Sequence, residues 1–311
     1  RFSSGIERAA AFPVRRGAQA IANLTNVLRK EVLSMKITYL GTAASEGLPA
    51  PFCTCPVCQK ARQEGGKSVR TRTQALVDES LLIDFPPDTY LHWLRNNFDF
   101  LKVTDLLVTH SHMDHWYPDD LQATVEPFGH HDPAYTLTLH GNEKVCRQLE
   151  EGMGAEEPKI LDTVKRQVAT AFETFTAGEY RVTPLPADHC YTERALIYLV
   201  EKGDKALLYA HDTGYFLDGV WDYLAARKDL RLGLVSLDCT HGFDENRQNH
   251  MGFSVNVQVR DRLVDMGLAD GETLFVCNHF SHNGGGSYEE LSAQAQAQGM
   301  LASYDGLTLE F

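Results

Sequence analysis

The run His110-Ser111-His112-Met113-Asp114-His115 constrains this chain more than any other stretch. Four imidazole or carboxylate donors fall within six positions, directly after a short apolar run at 105–109 that reads as a buried strand. Zinc, manganese and iron take imidazole nitrogen and carboxylate oxygen. A merely solvated polar loop has no use for four such groups at this spacing. His110 and His112 stand two apart beyond a strand and so point to one side. Asp114 and His115 fall where a helix is expected to begin, facing a second ion beside the first.

Around this motif the text alternates between β-rich runs and helical spacing. Strands are expected at 36–40, 75–77, 81–83, 136–139, 180–185, 196–200, 206–209, 232–237 and 273–277, with a β-like tail at 301–311. Helices are expected at 89–98, 142–151, 219–226, 253–266 and 288–298. In the first of these Tyr90, Leu91, Leu94 and Phe98 lie on or near one face. Strands with interleaved helices and no break in composition predict one layered α/β domain over 35–311. Residues 1–34 differ: Arg8, Arg15, Arg16, Arg29 and Lys30 face only Glu7 and Glu31. They read as a helical N-terminal extension rather than a transit or twin-arginine segment, since 17–28 is too polar for an export signal.

Composition narrows the partners. A formal net charge of -13 argues against a broad nucleic-acid surface, which is normally basic. It leaves room for a small phosphate ester, because a local pair of cations outweighs the global field. No apolar run approaches the roughly 20 residues of a membrane span. Seven cysteines is an odd number, and only Cys53, Cys55 and Cys58 cluster. This does not suit a disulfide framework and points to a reducing, cytoplasmic setting.

His-x-His-x-Asp-His after a strand resembles the signature of the metallo-β-lactamase superfamily, and the opening Thr38-Tyr39-Leu40-Gly41-Thr42 is similar to that family's first strand and turn. The resemblance implies a four-layer αβ/βα sandwich. It also implies three more ligands in chain order, which His189, Asp212 and His279 suit, each at the end of an expected strand. By resemblance His110, His112 and His189 hold one ion, Asp114, His115 and His279 the other, and Asp212 bridges.

Cys53-Thr54-Cys55-Pro56-Val57-Cys58 suits a tetrahedral structural zinc that needs one more ligand. His282, three residues beyond His279, is the best fourth donor, with the zinc loop at 45–66. Together with Gly41–Ala50 and His279-Phe280-Ser281-His282, this cysteine run resembles the PhnP family, the phosphodiesterases of the bacterial carbon–phosphorus lyase system. That resemblance implies a manganese-type pair, one structural zinc, a homodimer, and cleavage of cyclic phosphates of ribose or nucleotides; the donors themselves accept manganese, zinc or iron. The related PqqB proteins of pyrroloquinoline quinone synthesis share a similar cysteine run but tend to lack the full ligand set. Transfer-RNA 3′-processing uses the same ligands, yet no basic RNA-gripping insertion is visible here.

Two ions about 3.5–4 Å apart share a hydroxide that attacks in line. The leaving oxygen needs a proton, and His250 in Asn249-His250 matches the general-acid context of PhnP-like proteins. His241 is its rival. Asp114 is counted with the catalytic set as well as the ligands. Arg70 and Arg72, ahead of the 75–77 strand, are the candidate phosphate contacts.

Overall fold

Side chains alternate along the strands, and that alternation sorts the core into three layers of contact. In β1 (Lys36–Gly41) and β3 (Leu81–Ile83), Ile37, Tyr39, Leu81 and Ile83 face one way, while Leu40 and Leu82 face the other. In β10 (Lys205–Ala210), Leu207 and Tyr209 oppose Leu208 and Ala210 in the same manner. The period of two gives each sheet two apolar faces, so each must be covered twice. The computed structural model describes residues 34–311. The extension expected at 1–34 therefore lies, but for Ser34, outside the described residues.

The first sheet runs β14 (Leu307–Glu310), β1, β2 (Gln74–Val77), β3, β4 (Asp105–Leu107), β5 (Leu137–Gly141), β6 (Val164–Val168). The second runs β13 (Leu301–Ala302), β12 (Leu274–Asn278), β11 (Leu234–Asp238), β10, β9 (Leu196–Lys202), β8 (Tyr180–Pro186), β7 (Phe175–Ala177). Ile37, Tyr39 and Ile83 of the first sheet meet Val182, Tyr198, Leu207 and Val276 of the second in a fully buried interface. Outside the first sheet pack α1 (Thr89–Asn96) and α2 (Glu143–Glu151), the latter through Val145 and Leu149. Outside the second sheet pack α3 (Asp218–Ala226), α4 (Phe253–Asp265) and α5 (Tyr288–Ala297), through Trp221, Val259 and Leu291. The result is the expected αβ/βα sandwich.

β3 to β6 run parallel, as do β10 to β13. Their carboxyl ends open together, the usual place for a site in parallel sheets. Most expected elements are present within a residue or two. Three departures matter. Asp114 and His115 lie in a turn, and the helical segment begins only at Pro118. In α1 the buried residues are Thr89 and His92, whereas Tyr90 and Leu94 are exposed. Helix Pro56–Glu64 and strands β6 and β7 were not expected from the sequence.

Candidate metal centre

Each chemistry-bearing side chain leaves the end of a strand. His110 and His112 follow β4, His189 follows β8, Asp212 follows β10 and His279 follows β12. At the ends of β10 and β12, Asp212 and His279 adopt left-handed backbone, φ 48° and 61°, an uncommon conformation for a side-chain-bearing residue and one that concentrates at functional sites.

The sequence-distant residues converge. His110 Nε2 lies 2.9 Å from His112 Nδ1, and His189 Nε2 lies 3.3 Å from that same atom. His115 Nε2 lies 3.2 Å from Asp114 Oδ2 and 2.8 Å from Asp212 Oδ2. His279 Nε2 is 2.9 Å from Asp212 Oδ2, while Asp212 Oδ1 is 3.4 Å from His189 Nε2. The two oxygens of Asp212 thus face two different histidine sets.

The opposite side of most rings is held. His115 Nδ1 donates to the buried Asp84 at 2.8 Å, and Thr109 Oγ1 lies 3.0 Å from His110 Nδ1. Thr240 Oγ1 lies 2.8 Å from His279 Nδ1. Such outer partners fix the orientation and tautomer of ligating histidines. Ser111, between His110 and His112, is pinned by Glu193, which accepts from its amide at 3.0 Å and its hydroxyl at 2.5 Å.

Do these residues fit metal ions? Among the described residues, buried His115 Nε2, Asp212 Oδ2 and His279 Nε2 have no hydrogen-bond partner, yet they point at one another. Unpaired buried polar atoms are costly unless something else meets them. Burial opposes charge on His110 and holds it well below the ordinary histidine range. Burial opposes charge on His279 too, but Asp212 outweighs it and carries it up to about 10. Despite its own burial, Asp212 is pulled well below the carboxylate range by His115 and His279. Imidazole and carboxylate donors that otherwise hold shared protons are what divalent ions replace. The donor set fits.

At the edge of the cluster His250 Nδ1 lies 2.9 Å from Asp238 Oδ2, and its ring is 4.9 Å from that of His189. His241 stands one ring further out, 5.8 Å from His250 between centroids, with its Nε2 2.7 Å from the Asn246 amide. Asp84, Asp238, Thr240 and Glu193 were not singled out from the sequence. Asp84 and Asp238 carried a usable signal, each being a carboxylate at the end of an apolar strand.

The thiol cluster assembles separately. Cys53, Cys55, Cys58 and His282 bring one donor atom each within 4.8 Å of one another. The two arginines behave otherwise than expected. Arg70 is 2% exposed, its Nη1 donating to Thr42 Oγ1 and the Ser303 carbonyl, so it cannot reach a substrate. Arg72 is engaged by Asp88 at 3.2 Å and by the Ser45 carbonyl at 2.8 Å.

Two packed mixed sheets with a histidine–aspartate cluster at their strand ends define a class, and residues 81–264 match the family described as the β-lactamase superfamily domain; the chain belongs to that superfamily. Within it the chain resembles the PhnP family. A diphosphatase of that family, known as a crystal structure, superimposes with a TM-score of 0.69 at 24% identity, over 90% of this chain and 98% of the other. Zinc-bound PqqB from Methylobacterium extorquens superimposes with a TM-score of 0.61 at 18% identity, over 88% and 99%. In sequence, coenzyme PQQ synthesis protein B of Methylobacterium radiotolerans is 25% identical over 211 residues, 60% of this chain and 68% of that protein. Among the described residues no helix is long and apolar enough to cross a membrane.

Proposed function

We propose that this protein is a metal-dependent phosphodiesterase acting on a small phosphate ester, with a cyclic phosphate of a ribose or nucleotide as the preferred class. One observation carries the reading: three unpartnered buried atoms, His115 Nε2, Asp212 Oδ2 and His279 Nε2, meet beside a histidine whose Nδ1 is held by a carboxylate. His110, His112 and His189 would hold one divalent ion, and Asp114, His115 and His279 the other, with Asp212 between them. When bound, such a pair supplies positive charge against the phosphate oxygens and acidifies a water. Manganese, zinc and iron all accept this donor set.

The remaining work falls to the chain's own groups. Asp238 accepts only, so His250 keeps its Nδ1 proton there, with Nδ1 also 3.9 Å from Asp212 Oδ1, and the protonated ring would be the proton source for the departing sugar oxygen. Burial opposes the His250 charge, but Asp238 outweighs it and lifts the imidazolium above its ordinary range. A cleft of about 660 Å³ begins at Cys190 and Tyr191, just after His189, and Arg194 stands on its wall. Among the described residues Arg194 has no carboxylate partner, and in this reading it would be the phosphate contact in place of Arg70 and Arg72.

The sequence relative in pyrroloquinoline quinone synthesis supports a second reading, a metal-binding protein of cofactor biosynthesis without this hydrolytic step. The Asp238–His250 pair favours hydrolysis. Turnover of bis-p-nitrophenyl phosphate and of ribose cyclic phosphates, measured with added manganese, separates the two. Absence of turnover with both ions bound would end the phosphodiesterase reading.

A further inference from the structure

Four consecutive residues serve two clusters. His279 directs Nε2 to Asp212 Oδ2 at 2.9 Å, whereas His282 places Nδ1 3.4 Å from the Sγ atoms of both Cys53 and Cys55. The stretch between them has little freedom. Phe280 donates its amide to the Thr42 carbonyl and accepts from the Ala44 amide, both at 3.0 Å. Ser281 donates its hydroxyl to Glu46 Oε1 at 2.5 Å, and His282 Nε2 lies 3.4 Å from the same oxygen. Residues 42–46 therefore grip Phe280, Ser281 and His282 in succession.

Glu46 stands to His282 as an outer carboxylate stands to a ligating histidine. From that position it would favour the tautomer with the ring proton on Nε2, leaving the Nδ1 lone pair for the thiol side. Arg70 grips the same segment from the other face: its guanidinium covers the Phe280 ring at 4.4 Å from the centroid. That placement is expensive. Arg70 Nε and Nη2 have no partner among the described residues, and a buried charge without a hydrogen-bonded counter-ion destabilises a fold. The aromatic face offsets part of the cost. An apolar side chain would fill this space more cheaply, so the guanidinium is better accounted for by what it does to Phe280 than by stability.

We propose that Glu46 and Arg70 are positioning residues that make 279–282 a stiff linkage, so that the thiol cluster and the histidine–aspartate cluster bind metal ions cooperatively. Coupling of this kind is reciprocal: an ion in either cluster tightens the other. The proposal rests on both clusters being metal sites and not on the reaction catalysed, so its test uses no substrate.

Manganese avoids thiolates and reports on the histidine–aspartate cluster, while zinc is drawn first to the three cysteines. The experiment titrates manganese, followed by the electron paramagnetic resonance of the free ion, into the full chain with and without one equivalent of zinc. Zinc is expected to tighten manganese binding about tenfold. Glu46→Gln is expected to weaken zinc by about tenfold to a hundredfold, and also to weaken manganese, which Glu46 does not approach. In Arg70→Lys, which keeps the charge but loses the planar stack, zinc should no longer tighten manganese. If Arg70→Lys does not fold, Glu46→Gln decides alone. Manganese affinity indifferent to zinc, or unchanged in Glu46→Gln, would overturn the coupling. Failure of the wild-type chain to bind manganese in either state would overturn the cluster reading beneath it.

Discussion

His250 Nδ1 lies 2.9 Å from Oδ2 of Asp238, a carboxylate with no solvent exposure that also accepts from the amides of Asp212 and Met251. One buried acid therefore fixes the ring at the mouth of the site and the backbone of the residue between the two histidine sets. We predict that His250→Ala slows hydrolysis of an alkyl or ribose phosphodiester by about a hundredfold or more. With a p-nitrophenolate leaving group, which departs without a proton, the loss should be much smaller. Metal content measured on the same samples should be unchanged. Equal losses for both leaving groups would remove His250 from the acid role.

Arg194 is exposed beside the cleft that starts after His189, while Arg70 and Arg72 are already occupied. Arg194→Ala should raise KM for a ribose cyclic phosphate severalfold with little change in kcat, the signature of lost uniform binding. Steady-state kinetics decide it. An unchanged KM, or a loss confined to kcat, would show that the substrate phosphate does not lie there.

The unpartnered atoms of His115, Asp212 and His279 make ion removal a stability question as well as a catalytic one. An ion that binds only the folded state stabilises it by mass action, about 2.7 kcal/mol at a hundred times its dissociation constant. Stripping the protein with a chelator should lower its thermal midpoint by several degrees, and manganese should restore it. In Asp212→Asn the restoring shift should shrink sharply, because both histidine sets lose their shared carboxylate. Calorimetric scans of the two chains, with and without ion, give the comparison. An identical shift in the variant would place the ions elsewhere.

How much of this was legible in the sequence varies with the physics of each element. The 110–115 motif was readable because its donors are local, and the strands β3 and β10 because each is a short, uninterrupted apolar run, as a strand buried on both faces must be. His189, Asp212 and His279 needed a family pattern to be chosen, since one strand-end histidine looks like another until topology brings the carboxyl ends of parallel strands together. Arg70 was misjudged because nothing in a sequence separates an arginine that reaches solvent from one that lies on a buried phenylalanine. The face of α1 was misjudged for a related reason. Tyr90 and Leu94 look like core, but His92 is buried because Thr71 and Gln74 satisfy both its nitrogens, at 2.7 and 2.6 Å. Strand β6 escaped because four of its five residues are exposed and no alternation marks it.

That buried histidine yields a prediction about acid stability. Burial holds the His92 imidazole neutral and lowers its pKa from 6.5 to about 4. Above pH 6.5 the group is neutral in both folded and unfolded chains and contributes no slope. Between pH 6.5 and about 4 the unfolded chain takes up a proton that the folded chain refuses, so stability falls as pH falls. Below about 4 both states are protonated and the loss stops growing, having reached on the order of 3 kcal/mol. His92→Gln keeps groups able to bond Thr71 and Gln74 but cannot titrate. Its denaturation midpoint should lie below wild type at pH 7.5, and the gap should narrow or reverse by pH 4.5. All other histidines, including those of the metal centre, titrate alike in the two chains and cancel in the difference. A gap between the two chains that stays constant from pH 7.5 to 4.5 would mean that His92 accepts its proton in place, and that the Thr71–His92–Gln74 bridge tolerates an imidazolium.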